Sequence, residues 1–145
     1  MEERIKLSKA DPKAYEAMIG LEKYLAESGL DKKLFELIKT RASQINGCAY
    51  CINMHVRDAM KIGETDQRLF LLDAWRETTL FTEKERAVLA LTESMTLITK
   101  GHVPDEVYNT AKKYLSDKEM AAVIMAVVAI NGWNRIAITS RTPLD

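Results

Sequence analysis

Apolar positions along this chain recur with the 3.6-residue period of helices, and no convincing run alternates apolar with polar residues. The pattern predicts seven helices in one domain spanning residues 1–145. The first covers Pro12 to Glu27 and stops at Ser28-Gly29. The second runs from Lys32 to Gln44, with Asp31 as N-cap and Asn46-Gly47 as its stop. A third starts near Cys48 and ends at Gly63, and a short fourth, Gln67 to Trp75, follows Thr65-Asp66. The fifth opens on Thr82-Glu83-Lys84-Glu85, a capping-box pattern, and carries Val88, Leu89, Leu91, Met95 and Ile98. Gly101 to Val103 breaks it, and Pro104 suits the start of a sixth helix that ends near Leu115. The last opens on a second capping box, Ser116-Asp117-Lys118-Glu119, and runs to Thr139. The expected fold is all-α, a helical domain of six to seven helices.

The last helix is apolar all round its first half, from Met120 to Val128. Such a helix is buried on every side, either at the centre of the monomer or beneath a neighbouring subunit. A homo-oligomer is the expectation.

Composition narrows the function. With 21 basic and 21 acidic residues the formal net charge is zero, so no basic surplus points to nucleic acid or anionic lipid. Ten aromatic residues, three Phe, five Tyr and two Trp, offer no stacking surface for single-stranded nucleic acid. The first residues, MEERIKLSKADPK, carry charges where a secretory signal needs an apolar stretch, and the longest apolar run, Met120 to Ile130, is shorter than a membrane span. A soluble, cytoplasmic protein with no membrane or nucleic-acid partner is expected. In a reducing compartment two close cysteines point to catalysis or metal rather than to a permanent staple.

Those two cysteines, the only ones in the chain, lie in Cys48-Ala49-Tyr50-Cys51-Ile52-Asn53-Met54-His55, which also holds one of the two histidines. At about 100° per residue, Cys48, Cys51 and His55 fall within roughly 60° of arc, so one small molecule could touch all three. The break at Asn46-Gly47 puts both thiols in a helix's first turn, where free backbone N–H groups favour a thiolate. By that argument Cys48 is the more acidic thiol. Tyr50 points elsewhere on the helix, and Met54 and Met60 read as core fillers. The residues alone leave three readings open. Both cysteines can be small buried apolar residues. Cys48, Cys51 and His55 can be three zinc ligands, with Glu36 or His102 as a fourth, in a metal-binding module. Or the pair is a redox dithiol with a proton-transfer partner. His102, in the loop Lys100 to Pro104, otherwise reads as a surface residue. On the second helix Leu34, Leu37, Ile38, Ala42 and Ile45 define an apolar side. Glu36 lies nearly opposite in a stripe with Thr40 and Ser43, the position of a solvated surface carboxylate.

Glu36, eleven intervening residues, then Cys48-x2-Cys51-x3-His55 resembles the signature of the alkyl hydroperoxidase D-like proteins of the carboxymuconolactone decarboxylase superfamily. The resemblance extends over the Leu34-to-Gly63 helical pair, the Thr82-to-Thr99 helix and the tail Ile130-Asn131-Gly132-Trp133-Asn134-Arg135. It implies an all-α fold assembled as a homotrimer or homohexamer, no cofactor, and reduction of hydroperoxides by a cycling dithiol. Carried onto this chain, it makes Cys51 the peroxide-attacking residue that becomes a sulfenic acid, and Cys48 the proton donor that then closes the disulfide. His55 and Glu36 become a proton relay. Its electron donor is unknown, with a dihydrolipoyl protein as the family-level expectation. A thiol–disulfide oxidoreductase serving a protein partner is the alternative. Trp133, Asn134 and Arg135 read as structural, the indole packing and the other two hydrogen-bonding across an interface. Tyr50 stands where the best-known hydroperoxidase has a histidine.

Overall fold

The helices that open at Pro12, Lys32, Glu83 and Asp117 begin where their caps predict. The computed structural model describes residues 1–144. Among them are eight α-helices and one 3-10 helix: α1 (Leu7–Ala10), α2 (Pro12–Glu27), α3 (Lys32–Asn46), α4 (Ala49–Lys61), α5 (Asp66–Phe70), the 3-10 helix Leu72–Glu77, α6 (Glu83–Thr96), α7 (Asp105–Lys112) and α8 (Asp117–Ser140). Asp31 caps α3 by accepting from the Leu34 N–H at 2.9 Å. Both capping boxes form, Thr82 with Glu85 on α6 and Ser116 with Glu119 on α8. Gly47, at φ 68°, ends α3 in the left-handed conformation that glycine adopts without strain, and the chain turns at once into α4.

Three differences from the sequence reading have physical reasons. The four-residue α1 is too short to show a period; tertiary contact holds the segment before it, where the Arg4 N–H donates to the Ser140 carbonyl at 2.9 Å. The expected fourth helix breaks near Leu71 into α5 and the 3-10 helix, with Leu69, Leu72 and Trp75 buried. Pro104 serves as N-cap of α7 rather than as its first residue, and that helix ends at Lys112.

Helix α3 lies at the centre, packed against α4, α6 and α8. One core cluster joins Leu34 and Ile38 of α3 to Val88 and Leu91 of α6 and to Val123 and Val127 of α8. A second gathers Leu37, Ala59, Leu72, Trp75, Phe81 and Leu89. The all-apolar start of α8 is therefore covered largely inside the monomer: Met120, Ala122, Val123, Ala126, Val127, Ala129 and Ile130 are buried there, while Val128 remains exposed. By length and mean hydropathy (24 residues, 1.6) α8 is apolar enough to cross a membrane, although no apolar run in the sequence reaches that length. Its packing against α2, α3 and α6 accounts for that composition.

Candidate active site

The short turn from α3 into α4 brings the two cysteines to the start of α4. Cys48 is its N-cap, at φ −85° and ψ 94°, and its sulfur accepts from the Cys51 N–H at 3.4 Å. Cys51 is one turn on, with 5.4 Å between the two Cα atoms, and the sulfurs are joined in a disulfide. Both residues are 1% exposed. Their surroundings differ. Cys51 lines a cavity of about 540 Å³, whereas Cys48 is not among its lining residues. Cys48 packs behind, in the apolar cluster of Ala42, Ile130 and Ala137 that also holds Cys51.

His55 follows Cys51 by one turn of α4 and is buried in the wall of the same cavity. Its Nδ1 lies 2.8 Å from Glu36 Oε2. An ionised carboxylate only accepts, so Nδ1 is the donor and Nε2 is the ring nitrogen free to exchange a proton. The Glu36 side chain is 12% exposed. The expectation of a solvated surface carboxylate is thus corrected. The helical-wheel argument assumed that only the apolar side of the second helix faces inward. Helix α3 is covered on both sides, and its polar stripe is an interior seam in which Thr40 and Ser43 are fully buried. Two further corrections concern α4. Tyr50 does not point away but lines the cavity, and so does Met54, which is partly exposed rather than core; Met60 is exposed too.

The cavity walls come from elements distant in sequence. Helix α2 supplies Tyr15, Ile19 and Glu22; α3 supplies Phe35 and Lys39; α8 supplies Trp133 and Ile136. Residues Ile5 and Leu7 close it from the N-terminal segment. About half of the lining residues are aromatic or aliphatic, among them Tyr15, Phe35 and Trp133, which suits a small organic molecule.

Lys39 is a site residue that the sequence reading missed. It is 2% exposed. Its Nζ donates to Glu22 Oε1 at 2.5 Å and sits 4.4 Å above the Phe35 ring. Burial pushes its pKa down, against the upward pull of the Glu22 and Glu36 carboxylates. The signal was present: a lysine three residues after Glu36, on the stripe that proved to be internal.

Asn134, expected to bond across an interface, does so within the monomer instead. Fully buried, it donates to Ser43 Oγ at 2.9 Å and accepts from Asn46 at 2.8 Å, which ties α8 to the end of α3. Arg135 reaches the Asn131 carbonyl of its own helix at 3.0 Å. The Trp133 indole packs against Tyr15 with ring centres 5.6 Å apart, and its N–H donates to Glu22 at 2.9 Å.

For a cation, Glu36, His55 and Asp58 could each offer one ligand atom, all within 4.8 Å of one another. His102 is not brought to this group: it is exposed, at φ 57°, in the loop before α7. With both sulfurs in the disulfide, the set of three carries no thiolate.

Residues 12–94 match the model of the carboxymuconolactone decarboxylase family. The uncharacterized protein YdfG of Bacillus subtilis is 40% identical over 138 residues, covering 95% of this chain and 94% of that protein. An alkyl hydroperoxide reductase AhpD from Corynebacterium aurimucosum is 37% identical over 46 residues, which is 32% of this chain and 26% of that protein. Among solved structures, a protein of unknown function from Agrobacterium tumefaciens, suggested to be an antioxidant defence protein AhpD, superimposes with a TM-score of 0.96 at 40% identity, over 99% of both chains. The debrominase Bmp8 shares the fold, with a TM-score of 0.84 at 18% identity over 94% of this chain and 74% of that one.

Proposed function

This chain belongs to the carboxymuconolactone decarboxylase family, within its alkyl hydroperoxidase D-like branch, and on that premise we propose that it reduces hydroperoxides through the Cys51–Cys48 pair. The observation that carries the reading is the placement of Cys51, bonded to Cys48, on the wall of an apolar cavity that also holds the His55–Glu36 pair.

In the reduced protein the Cys51 thiolate attacks the terminal oxygen of the hydroperoxide. The O–O bond breaks, Cys51 becomes a sulfenic acid, and the departing alkoxide takes a proton from His55. Cys48 then attacks the sulfenic sulfur. Hydroxide leaves and is protonated to water by the proton that Cys48 gives up, passed through His55 and Glu36. The disulfide of this structure is the product. Two electrons and two protons from an external dithiol restore the thiols. Because Cys51 is buried at the cavity wall and Cys48 lies behind it, that donor must also enter the cavity. This favours a slender dithiol, such as a dihydrolipoyl arm, over a globular thiol–disulfide partner. Repeated reduction suits a cytoplasmic protein. The surface apolar residues Ile98, Val128 and Ile138 support a homo-oligomer, which light scattering giving a mass of 16.4 kDa would exclude.

Stopped-flow mixing of reduced protein with hydrogen peroxide and with organic hydroperoxides, followed by mass analysis of the peptide holding residues 48–51, tests the reading. Loss of two thiols and gain of an intramolecular disulfide is expected. Two intact thiols after full exposure overturn it.

A further inference from the structure

The wall that holds Cys51 also carries an unusual number of acidic groups for an apolar cavity. Glu22 comes from α2, Glu36 from α3 and Asp58 from α4, with Glu3 at the N-terminal segment. Asp58 has its own cation, Lys61, at 2.8 Å. Helix α8 adds Trp133, Ile136, Ala137 and Ser140, none of which carries a formal charge. Tyr15 and Tyr50 complete the titratable lining, and Lys6 is an exposed cation at the rim. Among the described lining residues, Lys39 is the one lysine or arginine that is buried.

Its position is built rather than incidental. Glu22 Oε1 receives both Lys39 Nζ and Trp133 Nε1, at 2.5 and 2.9 Å, so three helices converge to fix the ammonium. Lys39 follows Glu36 by three residues on α3, the spacing that makes helical side chains neighbours. Glu36 in turn holds His55, one turn from Cys51. Charges therefore alternate along the wall, Glu22, Lys39, then Glu36, with His55 as the hydrogen-bond partner of Glu36. When Cys51 becomes a thiolate it adds a negative charge to a low-dielectric wall that already holds the Glu22 and Glu36 carboxylates, Asp58 being paired with Lys61 and Glu3 exposed. Like charges so placed oppose its formation unless a fixed cation offsets them.

We propose that Lys39 is a positioning residue for the dithiol chemistry, its buried ammonium being the fixed positive charge that lets the Glu36 carboxylate and a Cys51 thiolate coexist on one cavity wall. The inference rests on the redox reading of the site, but its test does not require peroxide. In a Cys48→Ser background Cys51 is the single thiol, and its alkylation rate by iodoacetamide is followed against pH. Lys39→Met moves the acid limb of that profile upward by about one pH unit, a roughly tenfold slower reaction on the limb. Lys39→Arg, which keeps the charge, restores the limb. Glu22→Gln breaks the same ion pair but removes a negative charge, so it leaves the limb in place or moves it down. A purely structural ion pair would make the two disruptive substitutions act alike. An unshifted limb in Lys39→Met, or equal upward shifts in Lys39→Met and Glu22→Gln, overturns the proposal. Should Lys39→Met fail to fold by circular dichroism, Lys39→Gln makes the same charge change with a polar side chain. If peroxide leaves wild-type thiols intact while the alkylation limbs behave as stated, the hydroperoxidase reading falls and the role of Lys39 stands.

Discussion

Glu36 Oε2 and His55 Nδ1 lie 2.8 Å apart, joining neighbouring helices α3 and α4 at the wall that exposes Cys51 to the cavity. The carboxylate fixes which imidazole nitrogen carries the proton and turns the other toward exchange.

If this pair moves protons for the dithiol, removing either member slows Cys51 oxidation. His55→Ala and Glu36→Gln are each expected to slow it on the order of 100-fold, within the usual range for general acid–base assistance. The double variant should be no slower than the worse single one, since one broken link already interrupts a shared relay. Stopped-flow rates against pH in the three proteins decide the matter. A wild-type profile in Glu36→Gln would leave His55 as the sole base.

The unequal surroundings of the two sulfurs set their roles. Cys51→Ser should abolish peroxide consumption, because Cys48 does not line the cavity. Cys48→Ser should leave a sulfenic acid on Cys51 that a dimedone reagent traps and that overoxidises with time. A trapped adduct on Cys48 in the Cys51→Ser protein would reverse the order.

The capping boxes, the glycine stop at Gly47 and the helical periods of α2, α3, α6 and α8 were legible in the sequence because each is a local device. Helix α1 was not, being a single turn before α2. Glu36 was misplaced and Lys39 overlooked for one reason. A helical wheel divides inside from outside only when one side of a helix is covered, and α3 is covered on several. Only the resemblance, not the pattern, brought Glu36 to the site, and the one signal for Lys39 was its spacing of three residues from Glu36.

Away from the cavity, Glu93 is a second convergence of charge. It accepts from Trp75 Nε1 at 2.8 Å, from Arg41 at 2.9 Å and from Arg76 at 2.5 Å. Burial alone would raise its pKa, but these donors outweigh burial and hold it below the usual carboxylate range. A depressed folded-state value means that the stabilisation is fully present above the unfolded value, near pH 4.3, and is lost as pH falls through the folded one. Glu93→Gln should therefore destabilise by about 1–2 kcal/mol at neutral pH, with the deficit shrinking below about pH 4. Urea unfolding of both proteins across that range measures it, and a deficit that is constant with pH would contradict it.

Asn134 should matter to the fold rather than to an interface. Its removal takes the donor from buried Ser43 Oγ and leaves a void, while Asn46 keeps its bond to Asn131, so Asn134→Ala is expected to cost about 2 kcal/mol. Denaturant unfolding gives the value. A change in oligomeric mass with unaltered monomer stability would instead return Asn134 to a subunit contact.

The left-handed turn at Gly47 has an evolutionary consequence. Glu36, Lys39, Cys48, Cys51 and His55 all fall on a single helical hairpin, α3 and α4. The remaining walls of the cavity come from α2, α8 and the N-terminal segment. The parts proposed to do chemistry thus travel together as one short inheritable cassette, while much of the surface that would choose a substrate is encoded elsewhere. Drift in α2 or α8 can reshape what enters the cavity without disturbing the hairpin, so descendants of such a chain can change diet while keeping their teeth.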